Sequence, residues 1–140
     1  MRFNLEQQKN FRGSEAVFKT CSPIIVRNTD ASGKSWGYIT SEAPEFEDKL
    51  YHSVKSMCKV LLEGTPELKR NDFSAGWIRS SIVRMNHYRN KDASQDSKKE
   101  LIEATTGAIK IKAPANVLQL IYDAGIGAKR SQGFGMLEIL

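Results

Sequence analysis

The sequence is most informative at residues 125–140, which read GIGAKRSQGFGMLEIL. Four of the ten glycines of the chain fall here, as the pairs Gly125-Ile126-Gly127 and Gly133-Phe134-Gly135. Lys129 and Arg130 lie between the two pairs. Glycine lets a backbone approach a ligand closely, so successive amides can converge on an anion, and two neighbouring cations suit a phosphate. The stretch therefore indicates a loop that binds a phosphate-bearing partner.

Two alternatives apply to the same glycines. A nucleotide-binding loop follows a strand and precedes a helix, so that the phosphates meet the helix N-terminus. Here the order is reversed, because residues 114–124 predict a helix before the loop and residues 134–140 predict a strand after it. A phosphate would meet the negative end of that helix, which disfavours a mononucleotide site. In the second alternative Gly125 caps the helix and the other glycines only shape a tight connection.

The remaining chain shows the periodicity of alternating strands and helices. Apolar residues recur every three to four positions from Phe46 to Leu62, the spacing of a helix face, whereas Ile109 and Ile111 alternate with lysines as on a strand. The predicted elements are a strand over 16–27, a helix over 42–63, strands over 72–89 and 101–113, a helix over 114–124 and a strand over 134–140. This βαββαβ order predicts an α+β, ferredoxin-like domain with an antiparallel sheet and two helices on one face, as in RNA-recognition modules.

Local signals refine this plan. Residues 1–13 have no sustained period and are interpreted as a connector or edge strand, which leaves 14–140 as the domain. Pro23 predicts an edge or bulge within the first strand, and Gly107 predicts a bulge in the third. Residues 28–33 form a turn cluster, and residues 90–98 are polar and predict a flexible hairpin loop.

Composition limits the class of partner. A chain of 140 residues with 40% hydrophobic content fits one domain, and a net charge of +5 with a pI near 9.3 favours an acidic partner. Nucleic acid is preferred over membrane because no run of about 18 apolar residues occurs.

Cysteine and histidine give no sign of a metal site. Cys21 and Cys58 have apolar or small neighbours and are predicted to be reduced core residues, which with the lack of a signal-peptide core indicates the cytoplasm. No Cys/His spacing suits zinc, and we expect neither a metal nor a cofactor. His52 falls off the apolar face of its helix, and His87 precedes the polar loop.

The glycine pattern at 125–136 resembles the C-terminal signature of the CRISPR-associated endoribonucleases that cut repeat RNA into guide RNAs. Three further segments resemble that family in the same order: Ser22–Arg27, Tyr38–Phe46 and Ala113–Tyr122. Members of the family carry two ferredoxin-like domains in tandem, and this chain resembles only the second.

The resemblance implies a function in binding and processing CRISPR repeat RNA, as the C-terminal part of a metal-independent endoribonuclease. The residues that it implies for RNA contact are Gly125, Gly127, Lys129, Arg130, Ser131, Gly133 and Gly135. In such enzymes a general base activates the 2′-hydroxyl and commonly lies in the N-terminal domain, so no catalytic residue is assigned here. The implied partners are repeat RNA, a separate or missing N-terminal domain and other CRISPR-associated proteins. The alternative is a non-catalytic RNA-binding or assembly module of the same fold.

Overall fold

The computed structural model describes residues 14–30, 32–88 and 99–140, and the side chains of all of these except 87, 88, 99 and 100. The connector predicted over 1–13 and the hairpin loop predicted over 90–98 lie outside the described residues. The elements are β1 (Glu15–Thr20), β2 (Val26–Thr29), β3 (Ser35–Ile39), α1 (Phe46–Leu61), β4 (Ser74–Tyr88), β5 (Lys99–Lys112), α2 (Ala115–Ala124) and β6 (Leu137–Ile139). Short 3-10 turns occupy Arg70–Asp72 and Arg130–Gln132.

The main sheet has the strand order β4-β5-β1-β6, and every neighbouring pair is antiparallel. Without the β2–β3 hairpin, the element order is βαββαβ, so the predicted α+β fold class is confirmed. Both helices pack on the same face of this sheet, because alternate residues of its strands form one buried cluster with residues from each helix. That cluster includes Phe18, Ile109, Ile111 and Leu137 from the sheet, Leu50 and Val54 from α1, and Leu118 and Ile121 from α2.

The prediction of one strand over 16–27 was wrong. The β1 strand ends at Thr20, and Val26 begins β2, which pairs with β3 in a separate two-stranded sheet. Pro23 has no N–H to offer a ladder, and Ile24 forms only an isolated bridge with Thr105. The predicted turn at 28–33 is the hairpin connection, in which Asp30 Oδ1 accepts N–H bonds from Ser32 at 2.9 Å and Lys34 at 3.0 Å.

The bulge predicted at Gly107 lies on the opposing strand instead. The register of β4 against β5 shifts between Trp77 and Arg79, so Ile78 is the additional residue, and its side chain is 59% exposed. Gly107 lies across from Ser80 at φ 144°, and a Cβ there would overlap the carbonyl oxygen of Arg79. The glycine is therefore required by close approach of the neighbouring strand.

The cysteine prediction was half correct. Cys58 is buried in the core, whereas Cys21 is exposed. Cys21 follows the last residue of β1, where the chain leaves the sheet, and its Sγ lies 3.4 Å from Glu138 Oε2. Partial desolvation and this carboxylate raise the pKa of the Cys21 thiol, which keeps the thiol protonated.

Candidate nucleic-acid interface

The loop between α2 and β6 begins at Gly125. This residue has φ 87° and donates its N–H to the carbonyl oxygen of Ile121 at 2.9 Å, so it is the helix C-cap. The loop therefore starts at the negative end of α2, as the sequence predicted. Any anion bound by the loop must be held by the backbone and side chains of the loop itself.

Three of the four loop glycines are packed against the protein's own backbone. A Cβ at Gly125 would lie 3.1 Å from the carbonyl oxygen of Gly135, and a Cβ at Gly127 would overlap the carbonyl oxygen of Ile25. A Cβ at Gly135 would overlap the carbonyl oxygen of Ile126. All three glycines have positive φ. These three glycines therefore shape the connection, as the second alternative predicted for the loop.

Hydrogen bonds fix the base of the loop to the linker between β1 and β2. The N–H of Ala128 donates to the carbonyl oxygen of Ile25 at 2.7 Å, and that of Gly135 donates to the carbonyl oxygen of Pro23 at 2.8 Å. Ile126 is fully buried in the main core. The loop therefore has a rigid base that is continuous with the core.

The tip of the loop differs from its base. Lys129 adopts a left-handed conformation at φ 59°, a 3-10 turn spans Arg130–Gln132, and Gly133 follows at φ 92°. A Cβ at Gly133 would meet no atom within 4 Å. Gly133 is thus the one loop glycine whose position faces open space, where a ligand could approach the backbone.

The tip borders an open cavity of about 530 Å³, which we call the tip cavity. Its lining residues are Arg27, Ala124, Gly127, Ala128, Lys129, Arg130 and Ser131. The structure thus brings together four of the predicted site residues and adds Arg27 from β2. Gly125, Gly133 and Gly135 do not line this cavity. Three cations and no carboxylate among the described lining residues make it suited to a polyanion.

A second cavity of about 640 Å³ adjoins the first and is here called the α1–β2 groove. Its lining residues are Val26, Arg27, Thr29, Asp30, Asp48, Lys49, His52, Ser53, Ser56 and Ala128. Arg27 and Ala128 line both cavities. His52 on α1 therefore lines the same cavity as Ala128 of the loop, although the two are far apart in sequence.

Charged groups in the groove are held by specific contacts. The Nε2 atom of His52 lies 3.6 Å from Asp48 Oδ2, and Lys49 Nζ donates to the carbonyl oxygen of Thr29 at 2.5 Å. The guanidinium of Arg27 lies 5.7 Å from the ring centroid of Tyr38 on β3. The groove was not predicted from the sequence because its walls come from β2, α1 and the loop. Arg27 alone carried a signal, as an exposed cation directly after the buried run 24–26.

The fold and the loop can be compared with known proteins. The family model of the CRISPR associated protein Cas6, C-terminal, matches residues 6–139. The chain belongs to this Cas6 family. A search of curated protein sequences finds no match.

Several solved structures share the fold. A Cas6-related gene product from Pyrococcus furiosus is 24% identical with a TM-score of 0.69, and the match covers 91% of this chain and 48% of that one. A RAMP protein that binds different RNA substrates is 23% identical with a TM-score of 0.70, over 91% of this chain and 49% of that one. A Cas6 product complex is 14% identical with a TM-score of 0.58, and the match covers 97% of this chain and 54% of that one.

These structures confirm the ferredoxin-like fold of a Cas6 C-terminal domain. The chain spans about half the length of the Cas6 and RAMP structures that it matches. Within the described residues, neither α1 nor α2 is long and apolar enough to cross a membrane.

Proposed function

We propose that this chain binds CRISPR repeat RNA and takes part in its processing, as the C-terminal part of a metal-independent endoribonuclease that generates guide RNAs. Membership of the Cas6 family and the fold shared with a RAMP protein that binds RNA support the proposal. The observation that carries it is the tip cavity, in which Arg27, Lys129 and Arg130 surround an open volume without a carboxylate among the described lining residues. Such a cavity attracts phosphodiesters.

The predicted RNA-binding residues take different parts in this proposal. Lys129 and Arg130 neutralise phosphates, and Ser131 donates a hydroxyl hydrogen bond at the same cavity. Gly133 brings the backbone close to the RNA, while Gly127 lines the tip cavity and is packed against Ile25 on its other side. Gly125 and Gly135 act indirectly, because they are buried and hold the base of the loop in shape.

We further propose that the catalytic base comes from a Cas6-type N-terminal domain, on a separate or longer chain, and that other CRISPR-associated proteins are partners. General acid–base catalysis needs a base within hydrogen-bond reach of the 2′-hydroxyl. The described residues at the tip cavity supply cations and a hydroxyl rather than an acid–base pair. The same observation favours the second candidate function, a non-catalytic RNA-binding or assembly module.

A cytoplasmic location fits the exposed free thiol of Cys21.

The test is RNA binding by a double variant, Lys129→Ala with Arg130→Ala, measured with repeat RNA at several salt concentrations. We expect weaker binding and a log K against log [salt] slope that is shallower by roughly 1–2, because each lost phosphate contact removes about 0.7–0.9 from the slope. The matched control is Lys69→Ala with Lys112→Ala, which removes the same charge from two exposed residues outside the tip cavity. Equal losses in both double variants would show that only net charge matters and would overturn the proposed site.

A further inference from the structure

The α1–β2 groove differs in charge from the tip cavity that it adjoins. Asp30 and Asp48 line the groove with Arg27 and Lys49, so its formal charges cancel when His52 is neutral. A phosphate gains little in such a place, since the two carboxylates repel it. The same carboxylates are acceptors for N–H groups, and the groove offers the hydroxyls of Ser53 and Ser56 beside them.

Each carboxylate keeps part of its acceptor capacity. Asp30 Oδ1 accepts hydrogen bonds from the Ser32 N–H, the Ser32 hydroxyl and the Lys34 N–H. The Ser32 hydroxyl and these backbone donors lower the pKa of Asp30, so the group is ionised at neutral pH. Asp48 Oδ1 accepts a hydrogen bond from Nε of Arg70 at 3.2 Å, and Asp48 Oδ2 lies 3.6 Å from Nε2 of His52.

The shared wall makes the two cavities one continuous surface. Arg27 and Ala128 line both, and the Arg27 guanidinium is held over the Tyr38 ring. A phosphate in the tip cavity would therefore place its attached nucleoside at the mouth of the groove. The groove volume of about 640 Å³ lies within the roughly 300–1,000 Å³ range of small-ligand sites.

We propose that the α1–β2 groove binds the nucleoside of one RNA nucleotide whose phosphate lies in the tip cavity, and that it selects bases with an exocyclic amino group over uracil. Asp30 and Asp48 accept hydrogen bonds from the amino group, and the exposed His52 ring stacks on the base. Ser53 or Ser56 bonds the ribose hydroxyl. This inference rests on the proposed RNA binding by the loop and adds a base preference to it.

The first experiment needs no variant. Fluorescence anisotropy would compare the binding of labelled five-nucleotide RNAs of equal charge, with adenine, cytosine, uracil or an abasic ribose at every position. The adenine and cytosine RNAs should bind at least about fivefold more tightly than the abasic RNA, as expected from stacking of a single base. The affinity of the uracil RNA should lie between those of the abasic RNA and the adenine and cytosine RNAs, because uracil can stack but has no exocyclic amino group. Equal binding of all four RNAs, or tightest binding of the uracil RNA, would overturn the proposed groove site.

Variants separate this inference from the proposed function. Asp30→Asn with His52→Ala should reduce the base preference, because Asp48 is then the one proposed carboxylate acceptor left in the groove, and should not change the salt slope. Lys129→Ala with Arg130→Ala should weaken the binding of all four RNAs to a similar extent and make the dependence of log K on log [salt] shallower. Lys59→Ala is the control, since Lys59 is an exposed residue of α1 that does not line the groove. If the loop variant weakens binding while the wild type shows no base preference, the groove inference fails and the proposed function stands; if the loop variant changes nothing, both fail.

Discussion

Ala128 donates its backbone N–H to the carbonyl oxygen of Ile25 at 2.7 Å. This bond joins the loop to the residue before β2, and Arg27 lies only two positions further on. Because Arg27 and Ala128 line both cavities, the bond fixes the walls of the tip cavity and the α1–β2 groove relative to each other. The loop and β2 thus form one preorganised surface, which lowers the ordering cost of binding.

Gly127→Ala should destabilise the protein by about 2 kcal/mol or more, because the added Cβ would overlap the Ile25 carbonyl oxygen at a residue with φ 86°. Gly133→Ala is the matched control, since Gly133 has a similar φ of 92° but no atom within 4 Å of the added Cβ. It should cost only about 1 kcal/mol, from backbone strain alone. Urea unfolding of the two variants measures both values. Equal costs would mean that the contact with Ile25 is not a constraint in solution.

Gly133→Val should impair RNA binding and also lower stability by roughly 1 kcal/mol or more, since a β-branched residue is disfavoured at positive φ. The side chain would project into the open space where RNA is proposed to approach the backbone. Binding is measured at one fixed salt concentration, alongside Gly133→Ala as the smaller substitution. Wild-type affinity in Gly133→Val would show that RNA does not reach the loop backbone at this residue.

Glu47→Gln should reduce the free energy of unfolding at pH 7 by about 1 kcal/mol. The expected loss is this small because the Glu47 side chain is 39% exposed, so water screens its charge. Glu47 Oε2 accepts a hydrogen bond from the Ala75 N–H at 2.9 Å, and Oε1 accepts one from Nη2 of Arg70 at 2.9 Å. The first bond joins the start of α1 to the start of β4. The Ala75 N–H and then Arg70 lower the pKa of Glu47.

The lowered pKa fixes the direction of the pH dependence. The stabilisation is complete above the unfolded-state pKa, about 4.3, and is lost as the pH falls through the lower folded-state value. The stabilities of wild type and Glu47→Gln should therefore converge towards pH 3 in urea unfolding experiments. Glu67→Gln is the control, because Glu67 forms an exposed pair with Lys55 and should matter little. A constant difference between wild type and Glu47→Gln at both pH values would contradict the proposed charge interaction.

The chain alone should bind repeat RNA and not cut it, and cutting should return when a Cas6-type N-terminal domain is supplied. The reason is that cleavage without metal needs a positioned base and acid, which together contribute on the order of 10²–10⁴-fold. The assay is incubation of labelled repeat RNA with the purified chain in EDTA, followed by sizing of the products. A single specific cut by the chain alone, abolished by His52→Ala, would place a catalyst in this domain.

Periodic patterns allowed most of the fold to be predicted from the sequence. The apolar spacing along α1 and the alternation in β5 are local properties, and the position of Gly125 after the helix suggested a helix cap as one alternative. The β2–β3 hairpin was missed because residues 16–27 are rich in apolar and β-branched residues, and Pro23 was interpreted as an edge or bulge within one strand rather than as its end. The exposed Ile78 was missed because a bulge depends on the register of the partner strand.

The candidate site could be predicted from the sequence only in part. Lys129 and Arg130 were proposed because they lie inside the glycine pattern, and both line the tip cavity. The groove was not found, because Asp30, Asp48 and His52 come together only when β2 packs beside α1. Residues that meet only through tertiary packing have no characteristic spacing in the sequence, so a site formed by them cannot be inferred from the sequence alone.

The packing of Gly125, Gly127 and Gly135 has a consequence for how related sequences are interpreted. These glycines would be retained by any descendant that keeps the fold, whether or not it still binds RNA, since a side chain at each would collide with the chain's own backbone. A homologue that has lost its ligand should therefore keep the glycine signature and diverge at Lys129, Arg130 and Gly133. In surveys of genomes, the glycines would then identify the ancestry of a chain, and the three tip residues would report whether the proposed RNA binding is retained.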